Sequence, residues 1–336
     1  MSDPESGIAE EFLRGTQLLR DGRCDQALGA FRSVFAQAQS AGNNQMMAAA
    51  LCEIGWSCYR LGDAEHGLEC ATGAIWLWER LGNRLEMARA MAVESVLYLD
   101  LGFSDEAYEL STQALVLAQA ESDVAVLAFV LNVKGIVLTV CREVDLGRRL
   151  VEQAVGIANH QKNETAAAYY LLNLGFCHAK MAEAASDLGE PDRAMAEREA
   201  AIEFTAESIR LAQRVGDLWT LRVALANSAE MLALQGSHHQ ALLQLEQCAG
   251  LPDLPGTGLR IQFLYTLGDV LFRAGRLDDA RLSANQAVEL ATASRLIDHQ
   301  VNAVRKLAEI LEAQGDAAAA LAQFKHYHHL YVRQSG

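Results

Sequence analysis

The feature that most constrains the fold of this chain is a pair of helical segments that recurs at a nearly constant interval. The clearest copy spans residues 44–82, where apolar residues return every three or four positions, as they do along one face of an α-helix. Gly62 interrupts this pattern and Gly82 ends it, because glycine readily adopts the left-handed conformation that terminates a helix. Neither helix of such a hairpin can bury its apolar stripe alone, so the pattern predicts a stack of similar hairpins.

Further copies of the hairpin become visible when the chain is aligned on its helix-breaking positions. The interval is about forty residues, with one longer unit. The turns are predicted at Gly22, Gly62, Gly102, Arg142-Glu143, Gly189, Gly236, Gly275 and Gly315. The period predicts a helical solenoid, which grows by the addition of units and does not need a single closed core.

Small residues occupy fixed positions in both helices of the unit, as expected where two helix backbones cross too closely to admit a side chain. The set in the first helices is Gly15, Gly55, Ser95, Gly135, Gly175, Ala229, Gly268 and Ala308. The set near the start of the second helices is Ala27, Gly67, Ala107, Gly147, Ala194, Ala241, Ala280 and Ala320. Each hairpin is therefore predicted to be tightly packed at its crossing point.

This arrangement of small residues resembles the tetratricopeptide repeat (TPR), whose first helix carries a small residue eight positions in and whose second helix begins with alanine. The resemblance extends over residues 8–331 and implies an all-α fold, a right-handed superhelix of about eight TPR-like helix hairpins. HEAT and armadillo units share the repeat length but do not predict the paired small residues. A standard TPR unit has about 34 residues. Each helix here is thus expected to be about one turn longer, which resembles the N-terminal regulatory TPR modules of bacterial signalling proteins.

The predicted domain organisation is a disordered tail at residues 1–7, followed by one TPR solenoid over residues 8–331. The repeats are expected near residues 8–41, 44–82, 84–121, 123–161, 163–216, 218–256, 257–295 and 297–331. The fifth unit carries about seven extra residues on each side of Gly189, nearly two helical turns, so both helices lengthen without rotating their apolar faces. Its tip, residues 182–199, is expected to project as a solvated hairpin. The Pro/Gly-rich segment 250–256 is expected to form a local hinge.

Composition argues against several classes of partner and location. A formal net charge of −15 argues against nucleic acid, because phosphate contacts need clustered Lys and Arg. The cysteines form no C-x-x-C pair, which favours a reducing, cytoplasmic location, and the N-terminus lacks an apolar signal core. The apolar stretch Val124–Val140 is short for a membrane span and contains Asn132 and Lys134, so a buried solenoid helix is predicted there.

No catalytic motif is present in the sequence. It contains no Walker loop, no G-x-G-x-x-G, no H-E-x-x-H and no G-x-S-x-G. His326 and His329 share one helix face, but no Cys or acid lies nearby at a matching interval, so no metal site is expected. We therefore expect no enzyme activity from this chain, and no cofactor.

The TPR resemblance implies a ligand groove on the concave wall, which in TPR arrays is formed by first-helix residues beside the small residue. The groove residues implied in this way are Phe12, Arg20, Trp56, Tyr59, Arg60, Arg89, Phe129, Asn132, Tyr169, Asn173, Phe176, Lys180, Asn227, Tyr265, Asp269 and Arg273. Further residues implied on the same wall are Thr16, Cys52, Val96, Asp100, Ile136, Glu230, Phe272, Arg305 and Glu309. Aromatic groups interleaved with basic ones suit a ligand segment that is both acidic and hydrophobic.

Two details of the groove follow from the same resemblance. Asn173 and Asn227 are expected to pair with peptide groups of a ligand, as similar asparagines do in peptide-binding TPR arrays. The Lys and Asn clamp of chaperone-binding TPR domains is not recognisable. A second interpretation of any single aromatic residue is packing between repeats, and the sequence leaves both open.

The predicted function is a non-catalytic, protein- or peptide-binding regulatory module, with neither nucleic acid nor membrane among its partners. The final helix resembles the closing helix of TPR modules that precede a diguanylate cyclase domain of the GGDEF type. That resemblance implies the N-terminal, sensory part of such a bacterial signalling protein. A stand-alone peptide-sensing TPR receptor and a scaffold or adaptor protein are the alternatives. We also expect a homodimer through the C-terminal helix, and a loss of binding with little change in stability when Arg60 and Arg89 become Glu.

Overall fold

The fold is described by a computed structural model that covers residues 4–141, 143–252 and 256–335. All regular secondary structure in these residues is α-helical, which confirms the all-α prediction. The helices are α1 (Pro4–Arg20), α2 (Cys24–Ala41), α3 (Asn44–Leu61), α4 (Ala64–Leu81), α5 (Arg84–Asp100), α6 (Ser104–Gln119), α7 (Val124–Val140), α8 (Val144–His160), α9 (Glu164–Asp187), α10 (Pro191–Val215), α11 (Leu218–Leu234), α12 (His238–Ala249), α13 (Thr257–Arg273), α14 (Leu277–Ser294), α15 (Ile297–Ala313) and α16 (Ala317–Ser335).

Successive helices pack as antiparallel hairpins, and the hairpins stack side by side into a right-handed superhelix. The first helices of neighbouring units also contact each other, as α5 does with α7 and α11 does with α13. Each unit thereby covers the apolar stripe of the unit before it, which explains why one hairpin needs its neighbours. The first helices line the inner wall of the superhelix, and the second helices lie outside them.

Glycine provides the left-handed residue at most of the predicted turns. Gly22, Gly62 and Gly189 have φ values of 71°, 75° and 72°. Residues with a side chain adopt this region only at an energetic cost. The turn of the fourth unit is predicted without glycine, at Arg142-Glu143; Glu143 precedes α8, and Arg142 lies outside the described residues.

The small residues lie where paired helices cross. A Cβ atom on Gly135 would lie 2.7 Å from the carbonyl oxygen of Gly147, and one on Gly55 would lie 3.2 Å from the carbonyl oxygen of Gly67. Both distances are shorter than ordinary contact between carbon and oxygen, so a side chain here would push the two helices apart. The small residues that recur at fixed positions in the sequence are thus packing positions inside each hairpin.

The N-terminal boundary differs from the prediction. Helix α1 begins at Pro4, so residues 4–7 are helical and do not form a disordered tail; residues 1–3 lie outside the described part. Proline suits the start of a helix because its φ is already near the helical value and its missing N–H has no partner to lose there. In the predicted hinge, residues 253–255 also lie outside the described part of the chain.

The fifth unit has the lengthened helices that its spacing predicts. Helices α9 and α10 contain 24 and 25 residues, whereas α7 contains 17. Residues 186–193 at the tip are exposed, and a guanidinium nitrogen of Arg198 donates to Oγ of Ser186 at 2.7 Å across the hairpin. The two long helices therefore support each other beyond the edge of the stack.

Helix α7 coincides with the apolar stretch that imitates a membrane span. Most of its side chains are buried between the neighbouring units, including Asn132 and Lys134. Within the ranges that the structure describes, no helix combines the length and hydropathy needed to cross a bilayer.

Helix α16 covers the last apolar surface of the array. Phe324, Tyr327 and Leu330 pack against the clusters formed by α14 and α15. His326 and His328 are exposed on the other side of the helix. The exposed side of α16 also carries Leu321 and Val332.

The superhelix closes on itself between its first two units and its sixth and seventh units. A Cβ atom on Gly22, in the first turn, would lie 2.8 Å from Cβ of Leu218 at the start of α11. One on Gly62, in the second turn, would lie 3.2 Å from the backbone nitrogen of Gly258 in α13. The C-terminal end of α3 therefore rests on the N-terminal ends of α11 and α13.

Candidate functional site

Many of the predicted groove residues fall into two regions of the inner wall. The first region, which we call the aromatic seam, consists of Trp56, Tyr59, Phe129 and Tyr169 together with Trp219, which the sequence did not place in the groove. Trp56, Tyr169 and Trp219 are buried, and Tyr59 and Phe129 are partly exposed. The second region, the open wall, consists of partly exposed residues of α9, α11, α13 and α15. These residues are Phe176, Lys180, Asn227, Glu230, Tyr265, Phe272, Arg273, Arg305 and Glu309.

The aromatic seam crosses the interior of the superhelix. Trp56 stacks on Tyr59 with ring centroids 5.0 Å apart, and it meets Phe129 and Tyr169 edge-on at 5.4 and 5.7 Å. Trp219 lies 6.1 Å from Tyr169 and 6.3 Å from Tyr59. Such ring pairs add stabilisation beyond the burial of their surface. The seam thus joins α3, α7, α9 and α11.

Arg60 lies inside this seam. Its guanidinium carbon is 5.4 Å from the ring centroid of Trp56 and 4.8 Å from that of Trp219, so both rings stabilise the cation. One guanidinium nitrogen donates to the carbonyl oxygen of Leu19 at 3.1 Å, and Nε1 of Trp219 donates to the carbonyl oxygen of Arg60 at 3.1 Å. With 8% of its surface exposed, Arg60 is a packing residue in this structure.

A polar network extends from the seam into α7. Burial raises the pKa of both Tyr59 and Tyr169, so their hydroxyls stay protonated at neutral pH. Nδ2 of Asn173 donates to Oδ1 of Asn132 at 3.0 Å. Asn132 is fully buried, and its own Nδ2 has no hydrogen-bond partner among the described residues. The two asparagines therefore bind each other, and Asn132 is not accessible to a ligand in this arrangement.

Three predicted groove residues of the first units have different surroundings. The ring of Phe12 packs edge-on against Phe31 with centroids 5.4 Å apart. Arg89 forms an ion pair with the buried carboxylate of Glu53, which raises the pKa of Arg89. Arg20, at the end of α1, is exposed. Of these three residues, Arg20 alone presents an exposed charge.

An ion triad centred on Asp269 supports the open wall. Oδ1 of this buried carboxylate accepts from Nζ of Lys306 at 2.8 Å, and Oδ2 accepts from Nε of Arg273 at 2.9 Å. Burial acts to raise the pKa of Asp269, but the two cations outweigh burial and hold the pKa below its usual value. In α11, Oδ1 of Asn227 accepts from Nε2 of Gln262 at 3.0 Å. These hydrogen bonds hold the side chains of the open wall in place.

Charged groups of α9 and α15 influence each other electrostatically. Nζ of Lys180 lies 2.7 Å from a carboxylate oxygen of Glu183. Burial acts to raise the pKa of Glu183, but Lys180 and, more weakly, Arg305 and Lys306 of α15 lower it below the usual value. Helices from the fifth and eighth units are thus close enough to interact electrostatically, although two units separate them in the stack.

Sequence reasoning did not identify every residue of the inner wall. Trp219, Gln262 and Lys306 are absent from the predicted groove. Trp219 lies in the first turn of α11, before the positions that the TPR resemblance marks. The one sequence signal for Trp219 is its position just after Asp217, a helix-capping residue. The carboxylate of Asp217 accepts from the backbone N–H of Thr220 and caps α11.

Comparison with known proteins supports the fold. No family model and no curated protein matches the sequence. A Rap protein complexed with competence and sporulation factor aligns over 99% of this chain and 99% of its own, at 11% identity and a TM-score of 0.65. Human IFIT1, as a dimer with m7Gppp-AAAA, aligns over 98% of this chain and 73% of its own, at 14% identity and a TM-score of 0.65.

A third solved structure is a signal transduction ATPase with a tetratricopeptide repeat sensor from Pyrococcus horikoshii. It aligns over 88% of this chain and 43% of its own, at 10% identity and a TM-score of 0.58. At these identities the likeness shows the fold alone. That fold is a TPR-type superhelix.

Proposed function

We propose that this chain is a non-catalytic regulatory module that binds an extended segment of a protein or peptide along the open wall. The observation that carries the proposal is the difference between the two regions of the inner wall. In the aromatic seam Trp56, Tyr169 and Trp219 are buried by the chain's own side chains and only Tyr59 and Phe129 are partly exposed, whereas the open wall keeps all of its aromatic, amide and charged groups partly exposed. The proposal therefore moves the ligand contacts from Trp56, Tyr59 and Arg60 to the C-terminal half of the wall.

The chemistry of the open wall suits an extended polypeptide. Phe176, Tyr265 and Phe272 offer apolar contact, and Asn227 offers an amide group that can pair with backbone N–H and C=O groups. An extended segment alternates its side chains and presents backbone donors and acceptors along its length. One segment can therefore use both the aromatic and the amide groups of this wall.

A nucleotide chain is the second candidate ligand, because the IFIT1 structure of the same fold contains m7Gppp-AAAA. The charges of the open wall favour the peptide. Lys306 and Arg273 share Asp269, and Lys180 pairs with Glu183, so these cations already have carboxylate partners. Binding of a phosphate backbone instead needs several cations that are free to replace counterions.

Direct binding to the full chain tests the proposal. The probes are a surface array of random eight-residue peptides and, separately, capped and uncapped oligoribonucleotides. We expect peptides to bind, and we expect Phe272→Ala and Asn227→Ala each to weaken binding by on the order of tenfold. Trp76→Ala, a truncation of an exposed aromatic residue on α4, is the matched control and should have no effect.

Two results would contradict this function. Binding of the oligoribonucleotides without the peptides would replace the ligand class. Peptide binding that survives both Phe272→Ala and Asn227→Ala would place the site on another surface of the molecule.

The finer hypothesis is that this module is the N-terminal, sensory part of a bacterial diguanylate cyclase of the GGDEF type. It rests on the sequence resemblance of the final helix. Phe324, Tyr327 and Leu330 of that helix are covered by the preceding helices, so they are compatible with a stand-alone receptor or an adaptor as well. The reading frame after Gly336 tests the hypothesis, because a long helix followed by a cyclase sequence is expected there. A homodimer through α16 and a cytoplasmic location also stay predictions.

A further inference from the structure

We infer that the open wall selects a ligand segment that carries one basic and one acidic group about six residues apart. Glu230 holds the basic group, and Arg305 holds the acidic group. The inference rests on the proposed function, because it specifies the ligand chemistry of the same wall.

Glu230 and Arg305 are the charged residues of the open wall without a direct partner; Arg305 acts on the carboxylate of Glu183 only at longer range. Within residues 4–141, 143–252 and 256–335, neither forms a hydrogen bond or an ion pair, and both side chains are partly exposed. The other charged residues of the open wall are paired: Lys180 with Glu183, Arg273 with Asp269, and Glu309 with Lys306. A ligand charge can therefore bind at Glu230 or Arg305 without breaking an existing ion pair, and complementary charges also set the direction in which a ligand binds.

The positions of the two residues give the spacing. Glu230 belongs to α11 and Arg305 to α15, and α13 packs between these helices. Neighbouring helix axes lie about 8–10 Å apart, so two steps span about 18 Å. Ala229 and Ala308 occupy equivalent positions in their repeats; Glu230 follows Ala229 directly, and Arg305 precedes Ala308 by about one helical turn. The two charged residues are therefore offset by about 5–6 Å along the helix axes. The combined separation of about 19 Å equals the length of about six extended residues.

Hydrogen bonds between the helices fix this spacing. Gln262 of α13 donates to Asn227 of α11 at 3.0 Å, and Lys306 of α15 donates to Asp269 of α13 at 2.8 Å. Because α13 is bonded to both neighbours, Glu230 and Arg305 are presented at a set distance before a ligand arrives. Such preorganisation lowers the entropy cost of binding and sharpens selection by length.

The test uses an array of ten-residue peptides with acetylated N-termini and amidated C-termini. Each peptide carries one Lys and one Asp, and the series varies their separation from one to eight residues in both orders. We expect wild-type protein to prefer separations of about five to seven residues in one order, by on the order of tenfold. Uncapped six-residue peptides without charged side chains form a second arm, which shows whether chain termini can supply the two charges.

Charge exchanges assign the two ends. Matched peptides with two Lys or two Asp residues complete the array for the variants. Arg305→Glu should shift the preference to peptides with two Lys residues, and Glu230→Arg should shift it to peptides with two Asp residues. The double exchange should restore binding with the order of Lys and Asp reversed. Arg149→Glu, the same charge change at an exposed position on α8, is the control and should leave the preference unchanged.

The failure of this inference and the failure of the proposed function give different results. If wild-type protein binds the peptides without regard to order or spacing, while Phe272→Ala still weakens binding, the inference is wrong and the function stands. If no peptide binds, the proposed function is wrong. Circular dichroism melting checks the fold of each variant. The neutral exchange Arg305→Gln, which should abolish the preference for Asp, replaces Arg305→Glu if that variant does not fold.

Discussion

Arg60 shows, at the scale of single residues, how a charge on the inner wall is used inside the protein. Its guanidinium lies between the rings of Trp56 and Trp219, and it donates to the carbonyl group of Leu19. These contacts come from α3, α11 and α1, so one side chain joins three units. The closure of the superhelix covers Arg60, so its packing contacts are observed and its role as a ligand anchor stays a prediction.

The burial of Arg60 changes the expected effect of reversing its charge. In Arg60→Glu a carboxylate would lie unpaired against two electron-rich ring faces and a carbonyl oxygen. We expect the free energy of unfolding to fall by about 3 kcal/mol or more, where the sequence alone predicts little change. Urea unfolding of the variant measures this loss. Arg149→Glu serves as the exposed control and should stay within about 0.5 kcal/mol of wild type.

A small effect of Arg60→Glu, no larger than that of Arg149→Glu, would contradict the buried position of Arg60. Arg89→Glu is also expected to lower the free energy of unfolding. The ion pair between Arg89 and Glu53 is partly buried, and a carboxylate at position 89 would face a second carboxylate.

The helices themselves, at the scale of elements, could be predicted almost entirely from the sequence. Gly62 and Gly189 supply the left-handed residue of a turn, and Gly135 and Gly147 permit a close crossing. Each of these signals lies within one hairpin. The start of α1 at Pro4 is an exception, since the acidic residues near it indicate a solvated tail as readily as the first turn of a helix.

His299, in the first turn of α15, makes the stability of this element depend on pH. Burial lowers the pKa of His299 to about 4, and its Nδ1 has no partner among the described residues. In the unfolded chain the same imidazole titrates near 6.5. Between these values the unfolded state takes up a proton and the folded state does not, so stability falls as the pH falls. We expect His299 to account for a loss of about 1–3 kcal/mol over this window.

Urea unfolding at about pH 7 and about pH 4.5 measures the contribution of His299. Wild-type protein should lose more stability between these conditions than His299→Gln, whose side chain does not titrate. Carboxylates with lowered pKa values, such as Asp269, lose their contribution at lower pH in both proteins, so the difference isolates the imidazole. Equal losses in the two proteins would show that His299 is not the responsible group.

The contact between early and late units determines the shape of the whole molecule. Trp219 provides much of this contact, since it meets Tyr59 and Tyr169 and bonds to the backbone of Arg60. We expect Trp219→Ala to cost about 3–5 kcal/mol and to open the superhelix, because it removes the ring that α3 rests on. Small-angle X-ray scattering should then give a larger radius of gyration, and amides at the end of α3 should exchange faster.

Trp76→Ala is the control for this prediction, because Trp76 is 53% exposed on α4 and lies outside the seam. An unchanged scattering curve for Trp219→Ala would mean that the remaining contacts hold the superhelix closed without this ring.

The inner wall could be predicted from the sequence as a set of positions, but its accessible part could not. Arg60 and Arg273 both lie five positions after the small residue of their helix, yet the first is buried in the seam and the second is partly exposed. What separates them is the pitch of the superhelix, which sums small rotations over several units. No residue of one hairpin encodes that sum, so the juxtaposition of Arg60 and Trp219 has no local sequence signal.

The bond between Trp219 and Arg60, which joins residues 159 positions apart, also affects how the chain folds. In an open solenoid each unit touches only its neighbours, so the ends can fray while the middle stays folded. Here, melting of the second unit removes a partner of the sixth, and the reverse also holds. The hairpins between them should consequently unfold as one cooperative block, and the search for so distant a contact should make folding slower than in an open array of equal length.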